Sequence, residues 1–109
     1  MKIGVIGSRS ITAANFDGLD INQWDIVVTG GATGVDSLIE EYCKLHGIRV
    51  KVYKPDYRLG RGAPHIRNDK IIRESDRIIA MWDGKSKGTK SVIEKCKRSG
   101  KQITVIEVN

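Results

Sequence analysis

The 109 residues have room for one domain around one core, and not for two of ordinary size. At 39% hydrophobic and 29% charged, the composition is that of a globular chain and excludes intrinsic disorder. The net charge of +6 suits an anionic partner, but the basic residues form no single run, so charge alone does not mark a nucleic-acid-binding protein.

No apolar run is long enough to span a membrane, and the amino terminus meets Gly7 too soon for a signal peptide, so the expectation is a cytoplasmic protein with no membrane partner. Cys43 and Cys96 sit in amphipathic patterns without neighbours at metal-ligand spacing. They are expected as reduced core thiols, with no metal site.

Taken in chain order, Lys2 to Ile6 reads as a buried strand running into Gly7-Ser8-Arg9. Thr12 to Leu19 is expected as a short helix with Phe16 and Leu19 inward, although Gly18 weakens it. Asp25 to Thr29 is a second strand, ending at Gly30-Gly31. Val35, Leu38, Ile39, Tyr42 and Cys43 then recur at helical spacing, closed by Gly47. Ile48 to Tyr53 is a third strand, followed by a basic loop from Lys54 to Ala63. Pro64 suits the first turn of a helix reaching Glu74. Arg77 to Trp82 is a fourth strand, Gly84 to Gly88 a loop, Thr89 to Ser99 a helix and Ile103 to Val108 a fifth strand.

Strands that are mostly apolar rather than strictly alternating, and that alternate with helices, indicate a parallel sheet covered on both faces. The predicted fold is α/β: a single Rossmann-like three-layer sandwich over residues 1–109, with five strands in the order 3-2-1-4-5. In such sheets ligands sit beyond the carboxyl ends of the strands, where strand order reverses.

Three small-residue turns fall at that edge: Gly7-Ser8-Arg9, Gly30-Gly31-Ala32-Thr33-Gly34 and Gly84 to Thr89. Glycine lets a ligand approach the backbone, and a following helix offers free N–H groups and a positive dipole end, so the three together read as an anion cradle. Arg9 and Arg67 offer forked donors to phosphate. Asn68 could meet a base or ribose, or tether its loop. Asp36, three residues after Thr33, is read either as part of a helix cap or as a contact to a ligand hydroxyl, and Thr89 as a cap that also meets phosphate. Trp82 is expected at the core or rim, and His46 and His65 have no partner suggesting a triad.

The motifs carry a family resemblance: Gly4-Val5-Ile6-Gly7-Ser8-Arg9, Thr29-Gly30-Gly31-Ala32-Thr33-Gly34-Val35-Asp36, Pro55-Asp56-Tyr57 with Gly60 to Pro64 and Arg67-Asn68, and Trp82-Asp83-Gly84 leading to Gly88-Thr89. In this order and over nearly the whole chain they resemble the SLOG superfamily, and within it the small single-domain YspA/YpsA-related branch. Relatives include the DNA-processing protein DprA and the LOG ("lysine decarboxylase-like") phosphoribohydrolases. The resemblance implies binding or sensing of a nucleotide-derived phosphorylated small molecule, such as a nucleotide or an ADP-ribose-like ligand, with no obligatory cofactor. The matching ligand positions are Gly7, Ser8, Arg9, Gly30, Gly31, Asp36, Arg67, Asn68, Gly88 and Thr89. Relatives often self-associate, so a homodimer or larger homo-oligomer is a further expectation.

One departure weighs against catalysis. Where the LOG hydrolases carry Pro-Gly-Gly-x-Gly-Thr-x-x-Glu, this chain reads Asp83 to Val92, with Val92 at the glutamate's place. The reading therefore favours binding. A hydrolase acting on the N-glycosidic bond, with Asp36 as its carboxylate, is the first alternative. A single-stranded nucleic-acid-binding module using Lys54, Arg58, Arg61, Lys85, Lys87, Lys90 and Tyr57 is the second.

Overall fold

The computed structural model describes residues 1–108. Its short apolar runs become β1 (Lys2–Gly7), β2 (Ile26–Thr29), β3 (Arg49–Val52), β4 (Arg77–Trp82) and β5 (Ile103–Glu107). They form one all-parallel sheet in the order β3-β2-β1-β4-β5, the order expected from the sequence. Helices α1 (Val35–His46), α2 (Ala63–Glu74) and α3 (Lys87–Ser99) join successive strands, and a 3-10 turn at Tyr57–Leu59 lies in the basic loop. The result is a Rossmann-like sandwich whose strand order reverses between β1 and β4.

Alternation along β1 divides the core between the two faces of the sheet. Ile3 and Val5 pack with Val35, Ile39 and Cys43 of α1, while Ile6 lies on the opposite face with Ile71 and Ile72 of α2 and with Val92, Ile93 and Cys96 of α3. Ile71 is fully buried, so truncating it to alanine would cost about 2–5 kcal/mol through lost burial and an unfilled cavity. At β1, Gly4 is required by β4 and by the end of α2: a methyl group there would meet Ile78 Cδ1 at 2.5 Å and Ser75 Oγ at 2.6 Å. Both cysteines are buried and unpaired, as expected.

The predicted helix over Thr12 to Leu19 does not form. The chain is irregular from residue 8 to residue 25 and turns through left-handed Gly18 and Asp20, with φ of 81° and 62°. Apolar side chains still anchor it, because Ile11 and Phe16 are buried on the α1 face and Phe16 stacks on Tyr42 with centroids 5.4 Å apart. Eight residues with two inward side chains lack the length to sustain a helix against those turns. Two helix starts also differ from expectation. Gly34 caps α1 without any side-chain bond, and Ser86 caps α3 by accepting from Thr89 N–H. Thr89 therefore lies inside the first turn of α3.

Among the described residues, no helix is long and apolar enough to cross a membrane.

Candidate functional site

The crevice at the strand reversal is a cavity of about 380 Å³. Gly7, Arg9 and Ser10 enter it from the end of β1, and Ala32 and Asp36 from the start of α1. The first turns of α2 contribute Pro64, His65, Arg67 and Asn68. The turn into α3 contributes Asp83, Ser86, Gly88 and Thr89, and Ile6 and Val92 supply an apolar wall. An adjoining cavity of about 500 Å³ shares Arg9, Ala32 and Arg67 with the first and adds Gly30, Gly31, Thr33, Lys54, Pro55 and Tyr57.

Of the ten expected ligand positions, seven thus line the main cleft, and Gly30 and Gly31 line its neighbour. Ser8 lines neither. It is buried below, where its N–H donates to Met81 O (3.0 Å) and its hydroxyl accepts from Asp83 N–H (3.1 Å).

The junctions after β1 and β2 approach closely because of what glycine omits. Gly34 has φ of 79°, and a methyl group on it would stand 2.5 Å from Ser8 O and 2.6 Å from Arg9 Cα. The start of α1 can therefore press against the turn after β1 only with glycine at that place.

Part of the expected amide cradle is used by the protein itself. Ala32 N–H donates to Asp36 Oδ2 (3.1 Å), and Lys85 and Ser86 N–H both donate to Asp83 Oδ1 (2.8 Å each). Thr89 N–H donates to Ser86 Oγ (3.4 Å). The amides of Arg9, Lys87 and Gly88 have no protein acceptor among the described residues. Positive character in the cleft thus rests on a few amides and the α3 dipole together with the two arginines.

Those arginines differ. Arg9 is exposed and free to reorient. Arg67 is buried: its Nη1 donates to Gly30 O and to Tyr53 O (3.3 Å), and its Nε to Asn68 Oδ1 (2.7 Å). Of the fork expected from sequence, only Nη2 is left without a protein acceptor. Asn68 therefore tethers Arg67. Burial opposes the Arg67 charge, and the Asp36 carboxylate supports it.

The two carboxylates of the cleft also differ. Asp83 Oδ2 accepts from the Ser10 hydroxyl (2.6 Å), and that bond, followed by the Lys85 and Ser86 amides, holds its pKa far below the usual carboxylate range. Asp83 ties the junctions after β1 and β4 together and stays ionised. Asp36 is only 5% exposed, and burial raises its pKa against the opposing pull of the Ala32 amide, the Thr29 hydroxyl and Arg67. Among the described residues, its Oδ1 and the nearby Thr29 Oγ1 are both buried without a completed hydrogen bond.

Comparisons with known protein families, curated proteins and solved structures give no match to this chain. The chemistry of the site rests on its own geometry.

Several members of the cleft were not singled out as ligand positions from the sequence. Ser10 and Asp83 are 73 positions apart, and only the β1–β4 pairing joins them. His65 was read only as lacking a triad partner, and Ile6 and Val92 as core residues. Trp82 is half-buried against the core on the α2 and α3 face, within the core-or-rim expectation, and its indole N–H donates to Ser86 O (3.0 Å). In the basic loop, Arg58 is engaged by Asp56 through Nε and Nη2 (2.9 Å each), which removes it from the cations facing outward unpaired.

Proposed function

We propose that this protein binds a nucleotide-derived phosphorylated small molecule in the cleft at the carboxyl end of the sheet. The observation that carries the reading is the meeting, in one cleft, of Arg9 and Arg67 with the turn into α3 and the Asp36 carboxylate. Arginines and the start of α3 suit a phosphate group. A carboxylate on the cleft wall suits a hydroxyl that can donate to it, such as that of a ribose. The motif order that resembles the SLOG superfamily supports the same ligand class, and membership of that superfamily is proposed with it.

Thermal-shift titration with the four 5′-nucleoside monophosphates, ADP-ribose and NAD tests this. A ligand at a hundred times its Kd adds about 2.7 kcal/mol to native stability, a saturable and easily read rise in Tm. Arg9→Gln should weaken it without altering the melt in buffer alone. No shift with any of these compounds at millimolar concentration, in folded protein, rejects the reading.

A hydrolytic role is the second reading, and the raised pKa of Asp36 is the observation that favours it, since a carboxyl protonated more readily than usual suits general acid chemistry. Val92 on the cleft wall leaves no glutamate at the place the LOG motif would put one, so Asp36 would act alone. Release of free base, abolished in a folded Asp36→Asn variant, would support it.

A further inference from the structure

A third cavity, of about 340 Å³, lies along α2 and belongs to no part of the cleft just described except through Arg67. Ala63, Ile66, Arg67, Lys70 and Arg73 follow one another at helical spacing, so a single stripe of α2 forms one wall. Val52, Tyr53 and Lys54 at the end of β3 form the other. Charge in this groove is one-sided: Lys54, Arg67, Lys70 and Arg73 face it, against one carboxylate, Asp56, which already pairs with Arg58. Lys70 Nζ lies 4.4 Å from the Tyr53 ring centroid, and Glu74, which also feels the Lys70 charge, accepts from the Tyr53 hydroxyl (2.8 Å) and sits outside the lining.

Asp36 partly offsets the Arg67 charge, whereas Lys54, Lys70 and Arg73 form no salt bridge among the described residues, and cations facing one shared space repel one another unless an anion joins them. All three cavities meet at Arg67, and the second and third also share Lys54, so the groove continues the cleft. At about 1.5 Å of rise per residue, Lys70 and Arg73 stand roughly 4.5 and 9 Å along the helix from Arg67. The adjacent phosphates of a pyrophosphate share an oxygen and would crowd together at Arg67. Phosphates on opposite sides of a ribose are far enough apart to reach both ends of the stripe.

We infer that the α2 groove is a second phosphate subsite, and that the ligand class of the whole site is a nucleotide with phosphates on both the 5′ and 3′ sides of one ribose. This rests on the proposed binding of a nucleotide-derived ligand in the main cleft. Arg9 and Arg67 hold one phosphate, and Lys70 and Arg73 hold the other. The same chemistry occurs in a free nucleoside 3′,5′-bisphosphate and at the end of a 5′-phosphorylated oligonucleotide.

Calorimetric titration of the full chain with 5′-monophosphates, the matching 3′,5′-bisphosphates and 5′-phosphorylated dinucleotides separates these cases. The bisphosphate should bind at least tenfold tighter than the monophosphate at low salt. Its affinity should also fall more steeply with salt, because each added phosphate contact releases a further counterion. In Lys70→Gln/Arg73→Gln, both exposed positions, that gain should vanish while monophosphate affinity stays within twofold. A dinucleotide matching the bisphosphate identifies an oligonucleotide end as an acceptable source, and a dinucleotide weaker than it identifies the free bisphosphate. Equal affinity for mono- and bisphosphate, or a gain that survives the double variant, overturns the subsite while leaving the main cleft standing. Silence from every compound, ADP-ribose and NAD included, removes the main reading and this one with it.

Discussion

Asp36→Asn should make the protein more stable at neutral pH while impairing its binding. The substitution keeps an oxygen to accept from Ala32 N–H and removes a carboxylate charge that burial opposes. Relieving that burial penalty is worth about 1–3 kcal/mol. Against it stands the loss of a negative charge in the first turn of α1, about 0.3–1 kcal/mol, and of its attraction to Arg67. The balance is a gain of about 1 kcal/mol, or about 4 °C in Tm for a chain of this size.

The pH dependence has a definite sign. Burial raises the folded-state pKa of Asp36 above its unfolded value. The wild type therefore gains stability from the protonated carboxyl below about pH 4, and loses it as pH rises through the folded pKa. The advantage of the variant should accordingly be small at pH 3 and grow towards pH 7. Thermal melts of both proteins across that range, without and with ligand, read it directly. If Asp36→Asn is less stable than wild type at pH 7 and the difference does not change with pH, Asp36 is a structural partner of α1 and Arg67, and the argument from its buried charge fails.

Gly30→Ala should act through Arg67. A methyl group at Gly30 would stand 2.6 Å from Arg67 Cζ and 2.9 Å from Asp36 Oδ2, so the guanidinium must leave Gly30 O and Tyr53 O. We expect a loss of about 1–3 kcal/mol in urea unfolding and at least tenfold weaker phosphate binding, and wild-type values in both would show that Arg67 is not held as described. Asp83→Ala should loosen the junctions after β1 and β4. Because the folded pKa of Asp83 is depressed, its stabilising contribution is present above the ordinary carboxylate value and is lost only as pH falls through the much lower folded one. The stability gap between wild type and variant in melts from pH 7 to pH 2 should therefore persist through pH 4 and close only below it. Neither cysteine should react with a disulfide reagent at pH 8 in the native state, since burial pushes the Cys43 thiol up to about 11 and raises Cys96 as well. Both should react at once in guanidinium, and rapid native labelling would refute their burial.

Much of the fold was legible because the central strands β1, β2 and β4, buried on both faces, are mostly apolar runs, and because right-handed crossovers leave few ways to order five strands. The error at Thr12 to Leu19 came from taking two buried side chains as a helical period. An irregular segment can bury Ile11 and Phe16 equally well when α1 offers a surface for them. The caps were misread for a related reason. Thr33 and Thr89 have cap chemistry, but whether a hydroxyl reaches an amide is settled by backbone angles that composition does not specify.

By itself the sequence determined that three glycine-bearing turns would end up at one rim of one sheet, since each follows a strand and all the strands run in parallel. It also supplied the two arginines and the aspartate that meet there. Only the tertiary structure decided how those groups are used. It spent several turn amides on Asp36 and Asp83, turned most of the Arg67 fork inward to backbone carbonyls, and buried the Asp36 carboxylate. Those outcomes depend on distances between residues tens of positions apart, which strand pairing sets and local pattern does not record.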